Sequence, residues 1–217
     1  MRIGIFGGTF DPVHNGHLEI AEKVWHWFSL DRLYFIPAAQ SPHKRRQPEA
    51  PAWDRFAMLV LATQPYAAFY VSTLELARGG VSYTIDTVRE LRQRMGEDAE
   101  LYFIMGADAF QGLTQWKEYD QLLRLMNLVV IPRPGYILSA EGLPEEIRAR
   151  VRAFVPERDR VQEQGPRIYF CSGIHNATSA TAIRAALRRG EAIAHLVPSE
   201  AAAYIEKYRL YREGVTT

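Results

Sequence analysis

Two histidines three residues apart, His14 and His17, close the run Gly7-Gly8-Thr9-Phe10-Asp11-Pro12-Val13-His14-Asn15-Gly16-His17. At the start of a helix that spacing turns both imidazoles to one side. A helix start also offers exposed amides and a partial positive charge, which favour phosphate. Gly7 and Gly8 let the backbone approach a ligand closely. The chemistry predicted is the holding of phosphate. A lone histidine is more often structural, but two with a glycine between them, directly after Gly-Gly-Thr, reverse that expectation. Other phosphate motifs do not fit. A dinucleotide fingerprint needs Gly-x-Gly-x-x-Gly and an acid closing the second strand, yet that strand runs into Pro37 and Ala38. There is no Gly-x-x-x-x-Gly-Lys-Ser/Thr, and no cysteine or third histidine nearby completes a zinc pattern.

A second anion-binding pattern is Thr178-Ser179-Ala180-Thr181-Ala182-Ile183-Arg184, which opens a helix that Gly190 closes. Ser179 has the N-cap chemistry, Thr181 falls in the first turn, and Arg184 lies on the same face three residues on. A hydroxyl, free amides and a guanidinium together fix two phosphate oxygens. Alone, the segment would read as a capped helix with a surface arginine. An exposed Trp116 on a loop after a strand can stack on a flat cationic ring. Amides near Thr84 and Trp116 can donate to a carboxylate, and Asp108 can accept from ribose hydroxyls. Singly, these three are as well read as a core tryptophan, a capping threonine and a turn aspartate.

The elements that must position these residues follow from periodicity. Short apolar runs predict strands at Ile3–Phe6, Arg32–Ile36, Phe69–Ser72, Glu100–Met105, Asn127–Ile131 and Arg167–Cys171. Leu18, Ala21, Val24, Trp25 and Phe28 mark one helix face, and Ile85, Val88, Leu91 and Met95 another, with Gly96 at its left-handed end. A third helix is expected over Asp120–Met126. The alternation predicts a single α/β domain over 1–217 with a parallel sheet, whose strand carboxyl ends are the expected place for chemistry. The segment Glu141–Glu163, charged and punctuated by Pro144 and Pro156, reads as a solvated peripheral helix and loop. Gln40–Pro51 is a long cationic connection of the kind that often carries function.

Composition narrows the classes. The 217 residues are 47% hydrophobic and 24% charged, ample for a folded core. With 26 basic and 25 acidic residues the formal charge is +1, which gives no support to a nucleic-acid partner. No stretch reads as a signal peptide or a membrane span, and Cys171, the one cysteine, follows an apolar run. A buried thiol in a reducing, cytoplasmic setting is expected.

The first loop resembles the signature of the nucleotidyltransferase superfamily, His-x-Gly-His after the first strand, here His14-Asn15-Gly16-His17. The Ser179–Arg184 run is similar to its second signature, Ser-x-Thr-x-Ile-Arg. Further resemblance, to bacterial nicotinate mononucleotide adenylyltransferases, is carried by Ser82-Tyr83-Thr84-Ile85-Asp86-Thr87, by Gly106-Ala107-Asp108 with Leu113 and Trp116, and by Arg133-Pro134-Gly135. His195-Leu196-Val197-Pro198 with Tyr204-Ile205 and Leu210-Tyr211 adds to it, leaving mainly 136–165 unmatched. The resemblance implies a Rossmann-like doubly wound sheet with a short C-terminal helical region, 178–217. It implies ATP and nicotinate mononucleotide as substrates, with Mg²⁺ carried on the ATP and no protein-held metal. His14, His17 and Arg184 are then the implied catalytic groups. ATP is expected on Gly7, Gly8, Thr9, Phe10, His14, His17, Lys44, Gly106, Asp108, Ser179, Thr181 and Arg184. The mononucleotide is expected on Tyr83, Thr84, Asp108, Trp116 and Arg133. Sister transferases acting on nicotinamide mononucleotide, phosphopantetheine or a sugar phosphate are rivals, as is a nucleotide sensor without turnover.

Overall fold

Strands buried on both faces read as unbroken apolar runs, and such runs form the central strands of the computed structural model, which describes residues 1–42, 47–156, 159, 161, 165–174 and 178–212. In chain order the first elements are β1 (Arg2–Gly8), α1 (Asn15–Trp27), β2 (Arg32–Pro37), α2 (Ala52–Thr63), β3 (Phe69–Val71), α3 (Leu74–Arg78) and α4 (Thr84–Met95). There follow β4 (Glu100–Gly106), α5 (Ala107–Gln111), a 3-10 turn at Leu113–Gln115, α6 (Tyr119–Leu125) and β5 (Asn127–Ile131). The chain ends on α7 (Glu145–Arg148), β6 (Val151–Phe154), β7 (Ile168–Cys171), α8 (Ala180–Arg188) and α9 (Ser199–Lys207). The sheet order is β3-β2-β1-β4-β5-β7-β6. β1 pairs in parallel with β4 (Phe6 opposite Ile104), β4 with β5 (Gly106 opposite Ile131), β5 with β7, and β7 with β6. This is the expected parallel α/β sheet, and the six strands read from sequence are all present within two residues of their expected ends.

Three local features differ from the sequence reading. The Glu141–Glu163 segment is not wholly peripheral. It contributes α7 and the strand β6, and buries Ile147 and Phe154. Helix α2 escapes the apolar-face pattern because the first position of its buried stripe, Arg55, Met58, Leu59 and Ala62, is a cation. Gly96 ends α4 with φ 89°, as a glycine end requires, but its ψ of 158° is extended and not left-handed helical.

The chain divides into two compact units, each assembled from separate segments. The first comprises Met1–Gly7, Ile20–Tyr34 and Tyr83–Asn176. Its core centres on Phe28, stacked on Phe154 with ring centroids 4.7 Å apart and edge-on to Tyr169 at 5.1 Å. Cys171 is buried there, and burial pushes its thiol pKa well up, so it stays protonated and inert. The second unit comprises Gly8–Glu19, Phe35–Ser82 and Ala177–Thr217. Its core holds Phe35 between Phe10 and Phe69, each edge-on at 5.7 Å. Helices α2 and α9 are tied by the Tyr204 hydroxyl, which donates to Asp54 Oδ1 at 2.8 Å. Burial, then that bond, moves the phenol up to about 12. No helix among the described residues is long and apolar enough to cross a membrane.

Candidate active site

In the second unit the first loop leaves β1 at Gly8 and enters α1 at Asn15. Phe10 is buried at φ 50°, a costly left-handed conformation for an aromatic residue. It is accommodated because Gly8 has no side chain. A Cβ there would stand 3.0 Å from the Phe10 ring. Phe10 in turn meets His17 edge-on at 5.0 Å. His14 and His17 lie stacked, centroids 3.6 Å apart and 22° from coplanar. The His14 backbone N–H donates to His17 Nδ1 at 3.2 Å. An accepting Nδ1 places the proton of neutral His17 on Nε2, the nitrogen farther from the backbone. The helix start is fixed from a distant segment: Asn15 donates its N–H to Leu196 O at 2.9 Å and its side-chain amide to His195 O at 3.1 Å.

The second motif is capped as expected. The Ser179 hydroxyl accepts the Ala182 N–H at 3.2 Å, and Thr181 is exposed in the first turn of α8. Arg184 reaches the first loop. Its Nη1 donates to the Asp11 carbonyl at 2.7 Å, and its Nε to Glu49 Oε1 at 2.9 Å. Arg188 pairs with the other Glu49 oxygen. Burial alone would push the Glu49 carboxyl up, but the bonds and charges of Arg188 and Arg184 reverse this and hold it below its usual range. Thr9 contributes its carbonyl, which accepts from Arg55 Nη1 at 2.6 Å; Arg55 also donates to Ala38 O at 2.9 Å and Ala50 O at 3.3 Å. Burial lowers the Arg55 pKa, while the charge of Asp11 raises it. Sequence reasoning missed Glu49 and Arg55, and placed Asp11 and Tyr211 in motifs without giving either a role. The available signal was the charge of Arg55 at the head of an apolar stripe. Lys44 lies outside the described residues.

In the first unit, Gly7 packs on Phe103, with room for no more than a tight Cβ at 3.3 Å. Phe103 meets Trp116 edge-on at 5.9 Å and 89°. Trp116 is half-buried, and not the exposed ring expected from its loop, because it packs on Phe103. Its backbone N–H is also engaged, by Leu113 O at 3.0 Å. The amide donors for a carboxylate are therefore better sought at the start of α4, where Thr84 and Ile85 precede the first intrahelical bond. Tyr83 occupies the N-cap position, and the Lys117 ammonium sits 4.9 Å over its ring while pairing with Asp86 at 3.0 Å. Gly106 ends β4 with the Asp108 carboxylate folded against it, where any Cβ would collide with Asp108 Oδ1. Asp108 Oδ2 faces Arg133 Nη1 at 3.4 Å, and Oδ1 is buried with no hydrogen-bond partner among the described residues. Asp108, Gly106 and Arg133 are thus brought together, as are Tyr83, Thr84 and the Trp116–Lys117 loop. No group of three or more His, Cys, Asp or Glu among the described residues is placed to hold a metal.

Residues 5–186 match the cytidylyltransferase-like family. The chain is 41% identical over 213 residues to the probable nicotinate-nucleotide adenylyltransferase of Geobacter metallireducens, covering 97% of this chain and 98% of that one. It is 39% identical over 213 residues to the protein of that name from Thermoanaerobacter sp., covering 98% and 95%. Among solved structures it is similar to the Plasmodium falciparum nicotinic acid mononucleotide adenylyltransferase complexed with NaAD. There the TM-score is 0.73 at 16% identity, with 97% of each chain covered, a likeness of fold.

Proposed function

The chain belongs to the cytidylyltransferase-like family and, within it, to the nicotinate-nucleotide adenylyltransferases, and from that premise we propose that it transfers the adenylyl group of ATP to nicotinate mononucleotide. The products are the deamido dinucleotide and pyrophosphate, a step of NAD biosynthesis. A phosphate oxygen of the mononucleotide attacks the α-phosphorus, and the bond to the α,β-bridging oxygen breaks. The negative charge leaves with pyrophosphate. The attacking oxygen is already anionic, so neither a general base nor a covalent enzyme intermediate is required. Catalysis is positioning and charge stabilisation. The stacked His14–His17 pair, which shares its loop with the anchor of Arg184, is the observation that carries this reading.

His14, His17 and Arg184 meet the polyphosphate, with the amides of the Gly8–Phe10 loop and the α8 start, including Ser179 and Thr181, as further donors. A single such donor contributes about 2.7–4 kcal/mol to a developing oxyanion. Lys44 adds a cation to the triphosphate, Mg²⁺ enters on the ATP as part of the substrate, and Gly106 lets Asp108 lie where ribose hydroxyls bind. In the first unit, Trp116 stacks on the pyridine ring, Tyr83 and Thr84 bring the α4 start to its carboxylate, and Arg133 meets its phosphate. On this reading the enzyme is cytoplasmic, takes small-molecule substrates and binds no nucleic acid. Purified protein given Mg·ATP with each candidate acceptor, read by pyrophosphate release, tests the assignment. Release with nicotinamide mononucleotide alone would transfer it to the sister activity. Nucleotide binding without release would make the protein a sensor.

A further inference from the structure

Polar groups of the second unit that adenylyl transfer leaves unused form one connected relay. The Asp11 carboxylate accepts the Glu49 N–H on Oδ2 at 2.8 Å, the Ala50 N–H on Oδ1 at 3.0 Å and the Tyr211 hydroxyl on Oδ1 at 2.9 Å. Glu49, fixed at its amide, turns its carboxylate to Arg184 Nε, while the Asp11 carbonyl takes Arg184 Nη1. Held at two nitrogens from two directions, the guanidinium has its plane set. Of its five N–H bonds two are thereby used, which leaves one on Nη1 and two on Nη2 for phosphate oxygens. Tyr211 closes the relay from 200 positions along the chain, buried and at φ 66°, a backbone an aromatic residue keeps only when its surroundings hold it there. Burial, and then the Asp11 charge, push its phenol pKa up, so it stays a donor.

We propose that Tyr211 and Asp11 are positioning residues for Arg184: the hydroxyl sets the carboxylate, the carboxylate sets the Glu49–Ala50 amides, and Glu49 with the Asp11 carbonyl presents the outer edge of Arg184 to the polyphosphate. The proposal rests on the reading that Arg184 grips ATP and is independent of which acceptor is used. A merely structural tie would lower stability and leave nucleotide affinity alone, so affinity is the quantity to measure. Tyr211→Phe keeps the ring and deletes only the donor.

The test is calorimetric titration of the full chain with the magnesium salt of α,β-methylene-ATP, for wild type, Tyr211→Phe, Arg184→Lys and the double variant. Tyr211→Phe is expected to weaken the analogue about three- to tenfold, the scale of one hydrogen bond. In the Arg184→Lys background it should add less than about twofold, because the group it acts through is gone. Nicotinate mononucleotide affinity should not move. An unchanged affinity in Tyr211→Phe, or an undiminished loss in the Arg184→Lys background, overturns the relay. Should Tyr211→Phe fail to fold, Glu49→Gln at the more exposed end carries the same cycle with the same two outcomes. Failure of Arg184→Lys to weaken the analogue falls on the Arg184 reading itself and takes the relay with it. Tyr211→Phe inert beside a weakened Arg184→Lys falls on the relay alone.

Discussion

Replacing Arg184 by lysine keeps the charge and removes the geometry. Arg184 spans two fixed acceptors, Glu49 Oε1 at 2.9 Å and the Asp11 carbonyl at 2.7 Å, with three N–H bonds left over. A lysine carries one nitrogen, so it can reach one of those acceptors or the phosphate, but it cannot hold a forked contact. The loss is about one charge-assisted hydrogen bond to the polyphosphate, roughly 1.5–3 kcal/mol. That corresponds to an increase of about ten- to a hundred-and-fiftyfold in the KM for ATP. The KM for nicotinate mononucleotide should change by less than about threefold, since the lost contact is to ATP alone. Initial rates of pyrophosphate release, with each substrate titrated against saturating amounts of the other, provide the comparison. Equal weakening of both substrates, or an unmoved KM for ATP, would refute the assignment of Arg184 to the nucleotide.

His17→Ala should reduce kcat by at least about a hundredfold. The unfolding free energy should fall by only about 1 kcal/mol, the bond from the His14 amide; near-normal turnover would remove His17 from the mechanism. Arg55→Met removes a buried cation near Asp11 and leaves the Thr9, Ala38 and Ala50 carbonyls without their donor. A loss of about 3–5 kcal/mol in urea unfolding is expected, and less than about 1 would contradict it. Because the Glu49 pKa is lowered on folding, its contribution to stability is full above the ordinary carboxylate range and is lost as pH falls through its folded value. The gap in urea midpoint between wild type and Glu49→Gln should therefore narrow as the pH is lowered below about 4.3, the unperturbed glutamate value; a gap that widens would reverse the sign. Nicotinate mononucleotide should be preferred over nicotinamide mononucleotide by at least about a hundredfold in kcat/KM, or roughly 2.7 kcal/mol. Trp116→Ala should weaken both and keep most of that ratio, because its own amide is engaged by Leu113 and the discrimination belongs to the start of α4; collapse of the ratio would place it at Trp116.

The parts of the fold legible in the sequence are those whose signal is local. β4 and β5 announce themselves because strands covered on both faces need unbroken apolar runs. β6 does not: Val-Arg-Ala-Phe buries fully only Phe154 and sits among arginines, so its partner β7, not its composition, makes it a strand. The same division runs through the candidate site. The histidine pair and the Ser179 cap are separations of three residues, which helix geometry converts directly into contact. The Asp11 bonds to Glu49, Arg184 and Tyr211 cross 38, 173 and 200 positions, and nothing in residue type alone encodes such meetings. Trp116 was legible as a residue and not as an environment, since its packing on Phe103 depends on where the 3-10 turn ends.

The two terminal strands of the sheet have a consequence for behaviour in concentrated solution. A strand with one unpaired side is a row of open amide and carbonyl groups on which another chain can build. Here those rows are short, three residues in β3 and four in β6, and β6 displays Arg152 to solvent. A row of three or four residues offers an incoming chain too few ladder bonds to offset the entropy of docking, and a cation along it repels a second copy of itself. The sheet is thus blunted at both ends against growth by strand addition, and the long apolar strands that would make the most hazardous templates, β4 and β5, have both sides already paired.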